Sequence, residues 1–408
     1  MDVATDIGRR RWAILALGVL AQTVQATVVN GTAFLIPTLH TEHEFDLAQA
    51  GTLAGAPVLG GVLTLVAWGA VADRHGARLA LAAGLGIASV ATAAAATTAS
   101  PAALAVLLAV AGAGAVSANS ASGRVVVGWF PPSQRGLAMG IRQMSVPLGV
   151  ALAAMVIPPL ARDHGIGWAL AFPAIMCGIG AIACAVGIVD PPRPDRSAAA
   201  DTGLLENPYR GSWTLARIHG TSILLVIPQY VVWTYALVWL VTDLDWNETS
   251  AGLVITAAQF LGAFGRVAVG VWSDRAGSRL GPLRIVAISV AVSMAALAAT
   301  AWFTSPVAIV MLLVASVTTV APNGLAFTAV AEIAGPFWGG RALGIQNTGQ
   351  FLTGAAVGPA FGALIGVAGF PIAFAIAVIA PVAAVPLVPT AAVPRGPTAA
   401  VPRGPRDE

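Results

Sequence analysis

The chain has 408 residues, 57% of them hydrophobic and only 10% charged, where a soluble domain carries roughly a quarter charged. No compact water-soluble fold can hide that much apolar side chain, so the bilayer is its natural solvent. The net charge of +3 comes from 21 basic residues, every one of them Arg; they are dispersed among loops, without the clustered surface that nucleic-acid binding needs.

The N-terminal RRRWAILALGVLAQTVQATVV imitates a signal peptide, with basic residues, an apolar stretch and AQA. Its apolar run continues to about Leu39 and similar runs follow, which makes it the first membrane span. Runs long enough to cross ~30 Å of hydrocarbon as helices lie at about 12–38, 48–70, 79–98, 102–127, 137–160 and 166–189. The polar stretch DPPRPDRSAAADTGLLENPYRG interrupts them at 190–211. Six further runs follow, at about 215–241, 250–272, 283–303, 305–330, 342–367 and 370–389. Cys177 and Cys184 share one run, ~10 Å apart along a helix, too far for a disulfide. They read as small buried hydrophobes.

Charge sets the orientation. Arg9, Arg10, Arg11, Arg74, Arg78, Arg135, Arg193, Arg196, Arg210, Arg275, Arg279, Arg284 and Arg341 fall in alternate loops or termini. The intervening loops carry Glu42, Glu44 and Asp46, then Asp243, Asp245 and Glu248. The positive-inside rule makes both termini and the linker cytoplasmic, in an inner membrane. Trp12, Trp129, Trp168, Trp213, Trp246 and Trp302 sit near span ends, as interfacial anchors do. The repeated octapeptide in PTAAVPRGPTAAVPRG is too rich in Pro for a helix and too small-chained for a core, so a disordered tail is expected.

The chain writes GAVADRHGAR at 69–78 and GVWSDRAGSR at 270–279, an offset of 201. The match pairs Gly69, Asp73, Arg74, Gly76 and Arg78 with Gly270, Asp274, Arg275, Gly277 and Arg279. The glycines permit φ > 0 and close helix approach. The Asp ends a helix, able to pair with the adjacent Arg residues or with the positive N-terminus of a neighbouring helix. AMGIRQ (138–143) and ALGIQN (342–347) align at an offset of 204, which also places Asn119 on Asn323. An internal duplication explains both echoes. The expected architecture is all-α: twelve transmembrane helices in two pseudo-symmetric six-helix bundles. The bundles occupy 1–189 and 212–389, joined by a cytoplasmic linker at 190–211 and followed by a tail at 390–408.

GAVADRHGAR resembles the G-x-x-x-D-R-x-G-R-R signature loop of the major facilitator superfamily, and the second copy stands where that superfamily repeats it. The likeness covers nearly the whole chain. It departs at Ala77, where the family commonly has a basic residue, a change expected to leave an Asp73–Arg78 pair. The resemblance implies a midplane cavity opening alternately to each side, a monomer, a small-molecule substrate and no cofactor. It also implies that Asp73 helps hold the cytoplasmic gate shut.

Polar groups inside spans are costly and seldom idle. The first span offers Gln22, Gln25 and Asn30, and the fourth Asn119. The seventh offers His219, Gln229, Tyr230 and Tyr235, and the eleventh Gln346, Asn347 and Gln350. Uncompensated charge narrows to Arg124, Arg142 and Arg266. Arg266 lies eight residues before Asp274, ~12 Å up the helix, and its repeat counterpart is Leu65. A guanidinium there suits a carboxylate or similar oxyanion, unless it bonds backbone carbonyls or a distant Glu332. Arg142, two turns into the fifth span, completes a two-Arg clamp or serves as an interbundle contact. Arg124 is expected to snorkel or to serve the gate.

RVAVGVWSDRAGSR resembles the eighth span of the monocarboxylate, oxalate/formate and nitrate/nitrite branches, in which an Arg at this spacing meets the anion. GWFPPSQRGLAMGIRQMSVPLG (128–149) looks like the fourth-to-fifth-span junction of the first two. The first span lacks the acidic, Gly- and Trp-rich monocarboxylate motif, and the fifth lacks the nitrate signature. The alternative is a proton-coupled drug efflux antiporter, but Leu108 stands where such exporters carry an Arg, and SVPLGVALA only faintly echoes their fifth-span G-P-x-x-G-G pattern. His219 and Glu332 are the proton-coupling candidates. His40, His43 and Glu44 read as a solvated loop and not as a metal site. No Gly-rich phosphate loop followed by Lys-Ser/Thr appears. The chain reads as an anion transporter and not an enzyme.

Overall fold

A computed structural model describes residues 3–42 and 47–390. His43, Glu44 and Asp46, and the repeated tail, lie outside the described residues. The described chain is helical, and its apolar stretches define the spans used below. Spans 1–6 are Arg10–His40, Gln49–His75, Ala77–Thr97, Pro101–Trp129, Pro132–His164 and Ile166–Gly187. Spans 7–10 are Thr214–Thr242, Thr249–Arg275, Leu280–Trp302 and Val307–Ala334. The last stretch, Gly339–Leu387, runs 49 residues, roughly 70 Å of helix and far too much for one crossing. It turns at Gly369, whose φ of 80° suits glycine. Spans 11 and 12 lie on either side, giving twelve.

Each half packs around its own core. Spans 3 and 6, 2 and 4, and 1 and 5 pair in the first; spans 7 and 11, 8 and 10, and 9 and 10 pair in the second. Trp239 meets Phe374 edge-on at 5.4 Å in the second core. Leu63, Met155, Val186 and Val367 point outward, where lipid accepts them without cost. Cys177 and Cys184 are free and buried.

Among the interrupted spans, three matter for closure. Span 4 breaks at Val116, span 5 at Met144 and span 10 at Ala321, just before Pro322. The breaks divide each span into a segment on the linker side and one on the far side. The two halves touch chiefly through linker-side segments: span 2 against 11, and Ser117–Trp129, Arg135–Gln143 and Pro322–Ala334 against the opposite half. The far-side segments Pro101–Ala115, Ser145–His164 and Val307–Val320 pack within their own halves. The molecule is shut on the linker side.

Candidate functional site

Closure rests on two pseudo-symmetric contacts. A Cβ on Gly69 would stand 2.3 Å from the Gly340 carbonyl oxygen, and one on Gly270 would stand 2.2 Å from that of Gly136. Only hydrogen at these positions lets spans 2 and 11, and 8 and 5, approach so closely. Above each contact a carboxylate receives the start of the opposing helix. Asp73 accepts from the Gly340 and Arg341 N–H groups at 2.7 and 3.0 Å. Asp274 accepts from those of Gly136 and Leu137, both at 2.9 Å. Each helix N-terminus thereby gains two acceptors for its free donors and a charge opposite to its dipole.

The side chains around these carboxylates differ. Arg341 donates to Asp73 at 3.0 Å and lies over the Trp338 ring. Arg124 lies at this contact: it donates to the Ala72 carbonyl at 2.8 Å and sits near Asp73 and Asp190. Arg78 does not pair with Asp73. Its Nε donates to the Ala185 carbonyl, because Gly76 (φ 97°) turns the chain into span 3 and carries Arg78 toward span 6. In the other copy Arg279 is central, bonding Ser273, Asp274 and the Pro132 carbonyl and pairing with Glu332. Glu332 also pairs with Arg135 at 3.3 Å. Arg74 and Arg275 are exposed and make no ion pair among the described residues. Gly277 has φ 60°.

Two polar networks lie beyond the gate. In the first half, Gln22 donates to Asn119 at 2.9 Å and accepts from Ser145 at 3.0 Å. Arg142, 1% exposed, is clasped by the Ser122 hydroxyl, the Asn119 carbonyl and the Gln143 side chain at 2.8–3.0 Å. In the second half, Asn323 donates to Gln229, and Gln350 donates to Ser222 and Asn323. Asn119 and Asn323, equivalent by the repeat, are the centres of both. Gln25 is buried with its Oε1 unpaired. Asn30 bonds back to Ala26 at the far end of span 1, and Asn347 to Leu343 within span 11. Tyr230 packs against Gly354 and edge-on to Trp233.

His219 is tied on both sides, to Gln346 and to the Tyr209 hydroxyl at 2.9 Å. Tyr209 belongs to the linker, and burial pushes its phenol up to about 12, so it stays neutral. The arrangement fastens the linker to spans 7 and 11. Gln346 keeps an unpaired Nε2.

Arg266 stands apart. It is 4% exposed, with no ion pair among the described residues. Nη1 donates to the Gln143 carbonyl at 2.9 Å. Nε is buried and unpaired, and Nη2 makes no hydrogen bond among the described residues. The guanidinium lies 6.0 Å from the Trp233 ring centre. It lines a pocket between spans 7, 8 and 10 with Trp233, Gln259 and Ser316, the remainder being apolar (Val232, Ala236, Ile255, Ala258, Val320). Gln259, two turns before Arg266 on the same face, lines this pocket and is a candidate that sequence reading missed. The i, i+7 spacing could have found it. Trp233 and Ser316 carried no such signal. Arg142 and Arg266 meet on one residue, Gln143, whose side chain serves the first and whose carbonyl serves the second.

The sequence profile of the Major Facilitator Superfamily matches residues 18–356. Two uncharacterized MFS-type transporters of Mycobacterium tuberculosis, from strains H37Rv and CDC 1551, are each 47% identical over 385 residues, covering 94% of this chain and 85% of theirs. The fold is similar to that of the proton:xylose symporter XylE (TM-score 0.73, 16% identity, 93% of this chain and 95% of that one). It is similar also to the E. coli fucose:proton symporter FucP (0.71, 15%, 92% and 97%) and to the human organic anion transporter MFSD10 (0.74, 16%, 93% and 99%). At such identities these structures speak for the fold alone. With its duplicated six-span halves and a profile match across most of its length, the chain belongs to the major facilitator superfamily, and is a multi-pass membrane transporter.

Proposed function

We propose that the protein moves a small carboxylate, or an oxyanion of similar shape, across the cytoplasmic membrane by alternating access. The observation that carries this reading is the buried Arg266 guanidinium with a free edge and no acidic partner. A buried cation without a counter-ion is expensive, and an arriving anion relieves that cost. Nε and Nη2 lie on one edge of the planar group, and together they match the two oxygens of a carboxylate. The pocket is about 20 Å³ in this state, room for a water, so it must widen to admit an anion; its apolar walls and Trp233 then favour an organic body behind the charge.

The linker side is the cytoplasmic side by the Arg distribution, so the described state is shut toward the cytoplasm. Arg142 supports the site from behind, since its donors are already taken. The two bundles act as the moving bodies, with the 190–211 segment joining them in a monomer. A proton-coupled exporter of cationic drugs would need a free acid facing this space. Asp73, Asp274 and Glu332 are all engaged at the linker-side gate, which disfavours Glu332 as a proton carrier. With its acids engaged there, the site suits exchange of anions, or symport in which the substrate carries its own proton.

A thermal-shift screen of purified wild type beside Arg266→Gln tests the reading, using carboxylates, inorganic oxyanions, sugars and lipophilic cations. A ligand at a hundred times its Kd stabilises the folded state by about 2.7 kcal/mol. Stabilisation by a carboxylate that vanishes in the variant is the expected result. Stabilisation by lipophilic cations, equal in both proteins, would move the assignment to drug efflux.

A further inference from the structure

Span 5 is broken where it meets Arg266, and the break has a chemical cause. In an α-helix each carbonyl accepts from the N–H four residues on. Four residues after Gln143 stands Pro147, which has no N–H. The helix Arg135–Gln143 ends there, Met144 turns its N–H back to the Ile141 carbonyl, and Ser145–His164 begins. The Gln143 carbonyl is left without a helical donor in a buried position, where an unmet acceptor costs about 1–3 kcal/mol. Arg266 from the opposite half supplies the missing donor at 2.9 Å.

The repeat provides an internal comparison. Shifted by 204 residues, Gln143 and Pro147 become Asn347 and Phe351. Phe351 has an N–H, and span 11 runs through this point unbroken. The residue of span 2 that occupies the place of Arg266 is Leu65. The proline and the arginine occur together at one of the two equivalent crossings, and both are missing from the other. The crossings themselves match. A Cβ on Gly140 would meet the Arg266 carbonyl oxygen at 2.8 Å, and one on Gly344 would meet that of Leu65 at 2.6 Å.

We propose that Pro147 is a positioning residue for anion recognition. By freeing the Gln143 carbonyl it anchors Nη1 of Arg266, which leaves the Nε–Nη2 edge directed to the pocket of Trp233, Gln259 and Ser316. Arg142 steadies the anchor by holding the Gln143 side chain at 2.9 Å. The proposal rests on the reading of Arg266 as the anion-binding group, and adds how that group is aimed. It also gives Gln143 a place in the alternation: the bond from Arg266 exists only while spans 5 and 8 are crossed on the linker side.

Pro147→Ala restores an N–H that captures the Gln143 carbonyl within span 5. The first experiment needs no ligand. In a double-mutant cycle on unliganded thermal stability, Arg266→Gln should be less favourable in the otherwise wild-type protein, where it orphans the Gln143 carbonyl, than in the P147A background, where it removes only an unpaired buried cation. Additive effects would overturn the proposal. The second uses benzoate as the probe, with Pro158→Ala, in the same span and remote from Arg266, as a control. P147A should weaken benzoate about tenfold, raising KM for its uptake into proteoliposomes with little change in kcat, while P158A leaves both as in wild type. Wild-type affinity in P147A, with R266Q inactive, overturns the positioning role and spares the anion site. Benzoate that stabilises wild type and R266Q equally, or neither, sinks the site reading and this proposal with it.

Discussion

The two halves of the molecule share the parts that close it and differ in the parts that would hold a ligand. Gly69 against Gly340 is repeated as Gly270 against Gly136, and Asp73 beneath one helix start is repeated as Asp274 beneath the other. At the neighbouring positions the halves diverge. Leu65 corresponds to Arg266, Phe351 to Pro147, and Arg78, which bonds within its own half, to Arg279, which binds across the interface. A duplicated chain keeps its symmetry where two bodies must rock against each other. Its departures from symmetry then point to chemistry that only one half performs.

The largest effect should come from removing the asymmetric cation. Arg266→Gln is expected to weaken anion binding at least about a hundredfold, since a charge-assisted bidentate contact has no substitute in the pocket. Isothermal calorimetry in detergent would measure it. Arg142→Ala should act on the fold instead. Arg142 is packed as well as bonded, and emptying so large a buried site costs about 3 kcal/mol, seen as a lowered unfolding temperature. If Arg142→Ala abolished binding without destabilising the protein, the two arginines would form a clamp and the comparison between them would fail.

The second test addresses what the halves share. Gly69→Leu and Gly270→Leu each place a side chain against backbone in the closed gate. Overpacking of that kind costs about 1–3 kcal/mol, enough to shift the closed population roughly tenfold. A cysteine introduced at the buried Ser273 should then react with maleimide about tenfold faster in both variants. Acceleration by one glycine variant and not the other would show that the two crossings do not carry equal weight in closure.

The sequence made the twelve spans plain because hydrocarbon thickness imposes a run length that no soluble element shares, and it made the repeat plain because charged words are rare in apolar text. The helix break at Gly369 was visible as a gap between two such runs. Partners across the interface were another matter. Nothing local distinguishes Arg78 from Arg279, and their fates diverge only because one turn leads toward span 6 and the other faces span 10. Asn30 and Asn347 look like ligand contacts in a list of intramembrane polar groups, yet each satisfies itself on its own helix. Gln259 is an uncharged polar residue that gains meaning only as a neighbour of Arg266 two turns on. In the sequence Pro147 is part of SVPLGVALA, a faint echo of a G-P-x-x-G-G pattern. That its missing N–H leaves an acceptor for a residue 119 positions away follows only once spans 5 and 8 are seen to cross.

The smallest expected effects separate the two copies of the repeated phrase. Arg279 is 9% exposed and bonds Ser273 and Asp274 at 2.7 Å, and it neutralises part of the charge on Glu332. Arg279→Gln strips two carboxylates of their shared cation at the interface, so closure should weaken and transport slow by about tenfold, in keeping with the roughly 1.5–3 kcal/mol of a hydrogen bond to a charged group. Arg78 is exposed and spends its one side-chain bond on the Ala185 carbonyl, inside its own half. Substitutions at such surface positions stay within about 0.5 kcal/mol, so Arg78→Gln should alter the initial rate of proteoliposome uptake by less than about twofold. A rate for Arg78→Gln as low as that for Arg279→Gln would mean that Arg78 takes up a cross-interface partner in the opposite state of the cycle. The asymmetry between the phrases would then be a property of one conformation and not of the molecule.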